Sequence, residues 1–366
     1  MKNSLFLKGN YVVTRSFLGL VTVFFTSTVL ANVLHLYNWN DYLPKTIAQA
    51  FETKYHCKIS EDFYGDNEEM LAKLMAGARG YDIVVPTDYA VETLKKQKKI
   101  VPLNRGKLPN IRNLDKKYLH HHFNQSRLFS VPYAFTITML GYNVTQLKKL
   151  GLHTKINTWA LLFDPTLLKK MKGRVTVLDS QHELIAAALL YLGKNPNSTN
   201  LTDWLVASQV IIKAKPYWAA FNNQSYMKEL AVGNIWVAMG YSSDFYQAKR
   251  YTERTKRAFQ IDFGLQKEGN VLAMDSFVIL CHSANESLAY QFINFMLEGK
   301  NAAALTNQLG LGNPNKAALP YIDYHVKKNH AILPSQAQMQ NLYQLPELNM
   351  TQRRQLNHLW SKIKLR

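Results

Sequence analysis

Apolar residues fall in two alternating rhythms along this chain. "VLHLYNW" at 33–39 is a short apolar run that predicts a buried strand. After Pro44, "KTIAQAFETKY" places Ile47, Ala50 and Phe51 on one helical face. "CKISEDFY" predicts a second strand, and "NEEMLAKLMAG" a helix opened by Asn67 and ended by Gly77. "YDIVVP" at 81–86 predicts a third strand and "DYAVETLKKQ" a third helix. Strands alternating with helices of this length imply a mainly parallel sheet covered on both faces.

The rhythm changes after residue 130. "SVPYAFTITMLGYN" is rich in β-branched and aromatic residues and predicts long strand structure, where the chain crosses to a second domain. There, "RVTVLD" predicts a strand, "QHELIAAALLYLG" a helix, and "WVAMGYSSDFYQAKR" a strand feeding a helix. "IDFGLQKEG" and "LAMDSFVIL" predict returning strands, with the amphipathic "SLAYQFINFML" behind them. From Leu319 onward the pattern is helical and basic. The expected division is a first lobe at 32–135, a second at 136–262, a return to the first at 263–318, and a C-terminal segment, 319–366, packed on the second lobe. Two α/β lobes joined by crossing strands leave a cleft between them, where ligands favour the carboxyl ends of strands.

The first 31 residues have their own pattern. Lys2, Lys8 and Arg15 precede an apolar run from Phe17 to Ala31 that is short for a membrane span, and Val29 and Ala31 fit a cut before Asn32. This predicts a cleaved export signal and a periplasmic mature protein. Cys57 and Cys281 either pair in an oxidising compartment or remain buried thiols. The net charge of +19 is spread over runs such as "LKKQKK", "KKMKGR" and "KRYTERTKR", which read as solvated faces and not as a nucleic-acid site. No GxSxG, GxxxxGK[ST], HExxH or GxGxxG occurs. The triplet His120, His121, His122 lacks a neighbouring Cys or acid and reads as a solvated loop, so neither metal nor cofactor is expected.

Acids beside aromatics recur at predicted strand ends: Trp39, Asp41 and Tyr42; Thr87, Asp88 and Tyr89; Tyr241, Asp244 and Phe245; and Asp275 in "AMDSF". Asp179 and Glu183 follow the strand "RVTVL" in the same way. Carboxylates neutralise a desolvated ammonium, and aromatic faces add about 0.5–2 kcal/mol of cation–π attraction while covering methylenes. The pattern therefore points to a small cationic amine.

Those same segments resemble the periplasmic spermidine/putrescine-binding proteins from about residue 33 to about residue 320. "LYNWNDYLP" is similar to that family's entry from strand to helix. "YDIVVPTDYAVETL" is similar to its first ligand-binding loop, and "VTVLDSQHELIAAALLYLG", "VAMGYSSDFYQAK", "MDSFVI" and "LGLGNPNKAA" to later segments. The resemblance implies a two-lobed periplasmic-binding-protein fold and no enzymatic activity. It also implies a monomer that captures a polyamine by hinge closure and delivers it to the membrane permease of an ABC transporter. By position, it implies that Trp39 stacks on ligand, that Asp41 and Asp275 bind amine nitrogens, and that Thr87 and Tyr89 line the first lobe. Glu183 matches a second-lobe carboxylate. Asp244 stands where diamine-selective members carry an acid, and Tyr241 where they carry Trp. Three positions depart: Ala273 and Leu311 replace aromatics, and Ser180 replaces an acid of spermidine-binding members. The alternatives are another small solute in the same fold, a secreted carboxylate-based hydrolase, or an anion binder on the basic surface.

Overall fold

Ten strands form the frame in a computed structural model that describes residues 32–40, 42–118 and 128–365. The expected export signal, Asp41 and the His120–His122 triplet lie outside the described residues. The strands are β1 (Val33–Trp39), β2 (Lys58–Tyr64), β3 (Ile83–Val84), β4 (Val131–Asn143), β5 (Val175–Val177), β6 (Ala220–Phe221), β7 (Val237–Tyr241), β8 (Ile261–Gly264), β9 (Asn270–Ile279) and β10 (Leu342–Tyr343). Their order is β2-β1-β3-β9-β4-β7-β5-β6, with β8 on β4 and β10 on β9. β1 pairs in parallel with β2 and β3, and β5 in parallel with β6 and β7. Between these parallel groups run β4 and β9, antiparallel to each other.

Two sets of buried side chains explain the layout. Near its start β4 contributes Val131, Tyr133 and Ala134 to one core, and from Phe135 onward it contributes to another. Strand β9 does the reverse, with Leu272 and Met274 in the second core and Phe277 and Ile279 in the first. Both strands are buried along almost their whole length, with Thr136 and Thr138 of β4 and Asp275 of β9 among the apolar residues. Helix Gln181–Tyr191 is also buried almost all round, from Glu183 to Leu190. Helix Leu201–Ala214 and the final helix Met350–Leu365 pack against it. No helix among the described residues is long and apolar enough to cross a membrane.

Several local expectations change. The helix Asn67–Met75 is capped by Asp66, whose side chain accepts from the Glu69 N–H, while Asn67 Oδ1 instead accepts the Thr87 N–H at 3.2 Å. A carboxylate one residue earlier reaches the free N–H better because the cap lies outside the helical dihedrals. Strand β3 has two residues, since Pro86 supplies no N–H to extend the ladder. The region after Leu319 is not wholly helical: Leu342 and Tyr343 add a parallel strand to β9. Cys57 is buried, Cys281 is exposed, and both are free thiols.

Candidate functional site

The parallel strands end at a common cleft, and each end turns into a helix that carries polar groups. Trp39 closes β1, and its indole N–H donates to the Val85 carbonyl at 2.9 Å, which fixes the ring. Tyr64 at the end of β2 packs on it with ring centroids 4.6 Å apart, and Tyr42 lies 6.1 Å away. Thr87 begins the helix Asp88–Lys96, and its hydroxyl donates to Asp275 Oδ1 at 2.8 Å. On the opposite side, Glu183 sits in the first turn of its helix and accepts from Thr138 at 3.2 Å and from the Tyr241 hydroxyl at 3.1 Å. Asp244 lies in the first turn of helix Ser242–Arg254, where acids are favoured, and accepts from the Tyr226 hydroxyl and from Ser243. The Tyr226 ring lies against Gly240, where a Cβ would meet ring carbon Cε2 at 2.1 Å.

These groups line two adjoining cavities. The larger, of about 600 Å³, is bounded by Trp39, Tyr42, Thr87, Tyr241, Asp244 and Asp275. The smaller, of about 450 Å³, is bounded by Trp39, Thr87, Tyr89, Glu183 and Tyr241. Trp39, Thr87, Tyr241 and Ala273 line both, so the two form one elongated cleft. Thus Trp39, Tyr42, Thr87, Tyr89, Glu183, Tyr241, Asp244 and Asp275 all face this cleft, while Asp41 is outside the described residues. The departing positions are wall positions too. Ala273 borders both cavities, Leu311 the larger and Ser180 the smaller.

Burial dominates the electrostatics of the acids in this cleft. Asp275 is 2% exposed, and burial raises its carboxyl to about 7 against the opposing pull of the Thr87 and Tyr42 hydrogen bonds. Burial likewise raises Glu183 to about 7, opposed by Tyr241 and Thr138, with Glu68 adding to the rise. Asp88 is pushed well up by burial and then by Asp275. Among the described residues, Asp275, Glu183 and Asp88 make no ion pair with Lys or Arg. An unpaired buried carboxylate is costly, and an ammonium between two of them relieves that cost. Among the described residues no group of three or more His, Cys, Asp or Glu is placed to hold a metal ion.

Sequence reasoning missed part of the lining. Glu68 accepts from the Tyr89 hydroxyl at 3.0 Å and lies just beyond β2, where the rule of acids at strand ends finds it. Asp88, within the Thr87–Tyr89 motif, also lines the smaller cavity. Gln344, Arg353 and Trp360 reach the smaller cavity from the C-terminal segment, and no local pattern marked them. Gln344 donates to Asp88 at 2.5 Å, Glu347 pairs with Lys96 at 2.5 Å, and Arg353 reaches Thr93 at 3.3 Å. This segment therefore ties the helix Asp88–Lys96 to the second core, in which Leu342, Leu348 and Leu356 are buried.

The sequence profile of the bacterial extracellular solute-binding protein family matches residues 46–334. The chain is 49% identical over 336 residues to the putrescine/cadaverine-binding protein of Pseudomonas aeruginosa, covering 92% of this chain and 94% of that one. It is 34% identical to the putrescine-binding periplasmic protein PotF of Escherichia coli, covering 90% and 91%. A solved putative spermidine/putrescine ABC transporter protein from Listeria monocytogenes superposes with a TM-score of 0.81 at 27% identity, covering 92% of this chain and 99% of that one.

Proposed function

This chain belongs to the bacterial extracellular solute-binding proteins, and we propose that it captures a polyamine of the putrescine or spermidine class for an ABC transporter. It is a two-lobed, exported periplasmic binding protein and not an enzyme; no bond is made or broken. The observation that carries the reading is the pair of buried carboxylates, Asp275 and Glu183, raised to about 7 by burial and facing one aromatic cleft.

Asp275 and Asp41 would hold nitrogens from the first lobe, with Thr87 and Tyr89 beside them and Trp39 and Tyr42 covering methylenes. Glu183, Tyr241 and Asp244 would complete the box from the other side. Contacts to both sides exist only when the lobes are closed, so ligand shifts the population toward the closed form. A monomer presenting that form to the membrane permease completes delivery. The small Ala273 and Leu311 leave stacking to Trp39, Tyr42 and Tyr241.

Isothermal titration of the periplasmic protein with putrescine, cadaverine, spermidine, glutamate and a neutral sugar tests the reading. Amines alone should bind and raise the melting temperature. Binding of glutamate or sugar without amine binding would overturn it and favour another solute in the same fold.

A further inference from the structure

Positive charge concentrates on the turn before β5 and on the helix end beside it. Lys169 and Lys170 end the short helix Pro165–Lys169, and Lys172 and Arg174 follow on the turn into β5. The Gly173 N–H donates to the Tyr217 carbonyl at 2.8 Å, which brings that turn against the segment 215–217. Lys213 and Lys215 flank the end of helix Leu201–Ala214, and the Lys215 ammonium reaches the Ile363 and Lys364 carbonyls at 2.9 and 2.7 Å. Three stretches far apart in sequence thus meet at one surface.

On that surface Lys364 is paired with Asp179 at 2.7 Å. Lys169, Lys170, Lys172 and Lys213 are exposed, and among the described residues none of them makes an ion pair. The nearby acids are engaged: Asp164 caps its helix through the Thr166 N–H, and Glu229 accepts from the Asn234 side chain. Arg174 is held over the Trp236 ring and donates to the Asn234 carbonyl. At the exposed end of the last helix, beside Lys362 and Lys364, Leu365 is 87% exposed. Lysines with an unburied leucine suit the boundary between anionic headgroups and acyl chains better than a groove of a soluble polyanion.

Position matters as much as charge. The cationic turn precedes β5, whereas Asp179 to Glu183, which line the cleft, follow it. We infer that the Lys169–Arg174 turn, with Lys213 and Lys215, is a docking surface for an anionic phospholipid bilayer. Docking there would hold the protein close to a membrane. Attraction of this kind acts within a Debye length of about 8 Å at physiological salt, so the association is reversible and salt-sensitive.

The experiment is sedimentation of the periplasmic protein with vesicles containing phosphatidylglycerol, compared with pure phosphatidylcholine. Binding is expected only to the anionic vesicles and should fall as salt rises. The triple substitution K169Q/K170Q/K172Q should weaken it roughly 100-fold. Putrescine titration of the same variant should be unchanged, which shows that the variant is folded. Failure to bind anionic vesicles, or binding that survives the triple substitution, would overturn the inference. Equal or tighter binding to a soluble polyanion such as heparin would overturn it too, by marking the surface as a generic polycation.

Discussion

Replacing Asp275 by Asn separates the two consequences of burying an acid. Asn has nearly the same shape, and its carbonyl can still accept the Thr87 hydroxyl now found at 2.8 Å. What is lost is charge. Removing one partner of a buried, hydrogen-bonded charge pair costs about 2–5 kcal/mol. Putrescine affinity in titration calorimetry should therefore fall by roughly 30- to 3,000-fold. The empty protein should respond in the opposite direction. The folded chain holds the Asp275 proton up to about 7, against an ordinary value of 3.8. Its ionised form is therefore disfavoured by folding, and stability falls as pH rises from about 4 to about 7. The full shift corresponds to roughly 4 kcal/mol, an upper bound because relaxation and water entry reduce it. Asp275→Asn removes that loss, so the ligand-free variant should melt higher than the parent at pH 8. A loss of affinity smaller than about threefold would refute the assignment of Asp275 to an ammonium. A variant that melts lower when empty would refute the claim that its charge is uncompensated.

Two further predictions concern the same cleft. Asp275 and Glu183 both stand near 7 when the site is empty, and an ammonium favours their ionised forms, so binding releases protons. Between about pH 8 and about pH 6 each group should weaken binding by about tenfold, roughly 100-fold together, and titration in buffers of different ionisation enthalpy should reveal the released protons. Gly240→Ala forces a Cβ to within 2.1 Å of the Tyr226 ring, which carries the hydroxyl bonded to Asp244. Overpacking of this kind costs about 1–3 kcal/mol, so urea unfolding should show that loss together with weaker amine binding.

Much of the fold was legible because local pattern and burial coincide. The helix Lys45–Tyr55, the strand β4 and the helix Glu286–Met296 lie where their apolar spacing puts them. Strand ends also marked the cleft, since a parallel sheet aims all its carboxyl ends at one crevice. That is why Thr87, Glu183 and Asp244, spread along the chain, could be grouped without any contact information; Asp275, expected at a strand end, instead lies inside the antiparallel strand β9. What stayed hidden depends on long-range packing. Nothing around Gln344 or Arg353 distinguishes them from other polar residues near a helix. Their position comes from β10, whose two residues are too few to show a period and which forms only because the edge of β9 is available. The cap at Asp66 was displaced by one residue because neighbouring Asp and Asn compete as caps, and only dihedral angles decide between them.

The segment from Leu342 to Arg353 constrains how the jaws swing. β4 and β9 are neighbours in one ribbon, and a single ribbon bends readily but also twists. The links from Gln344 to Asp88, from Glu347 to Lys96 and from Arg353 to Thr93 add a separate attachment beside that ribbon. Two attachments set apart define an axle, which permits opening and resists torsion. Deleting the chain beyond Asn341 would remove that attachment, so acids and rings on facing walls would meet out of alignment even where every one of them is intact.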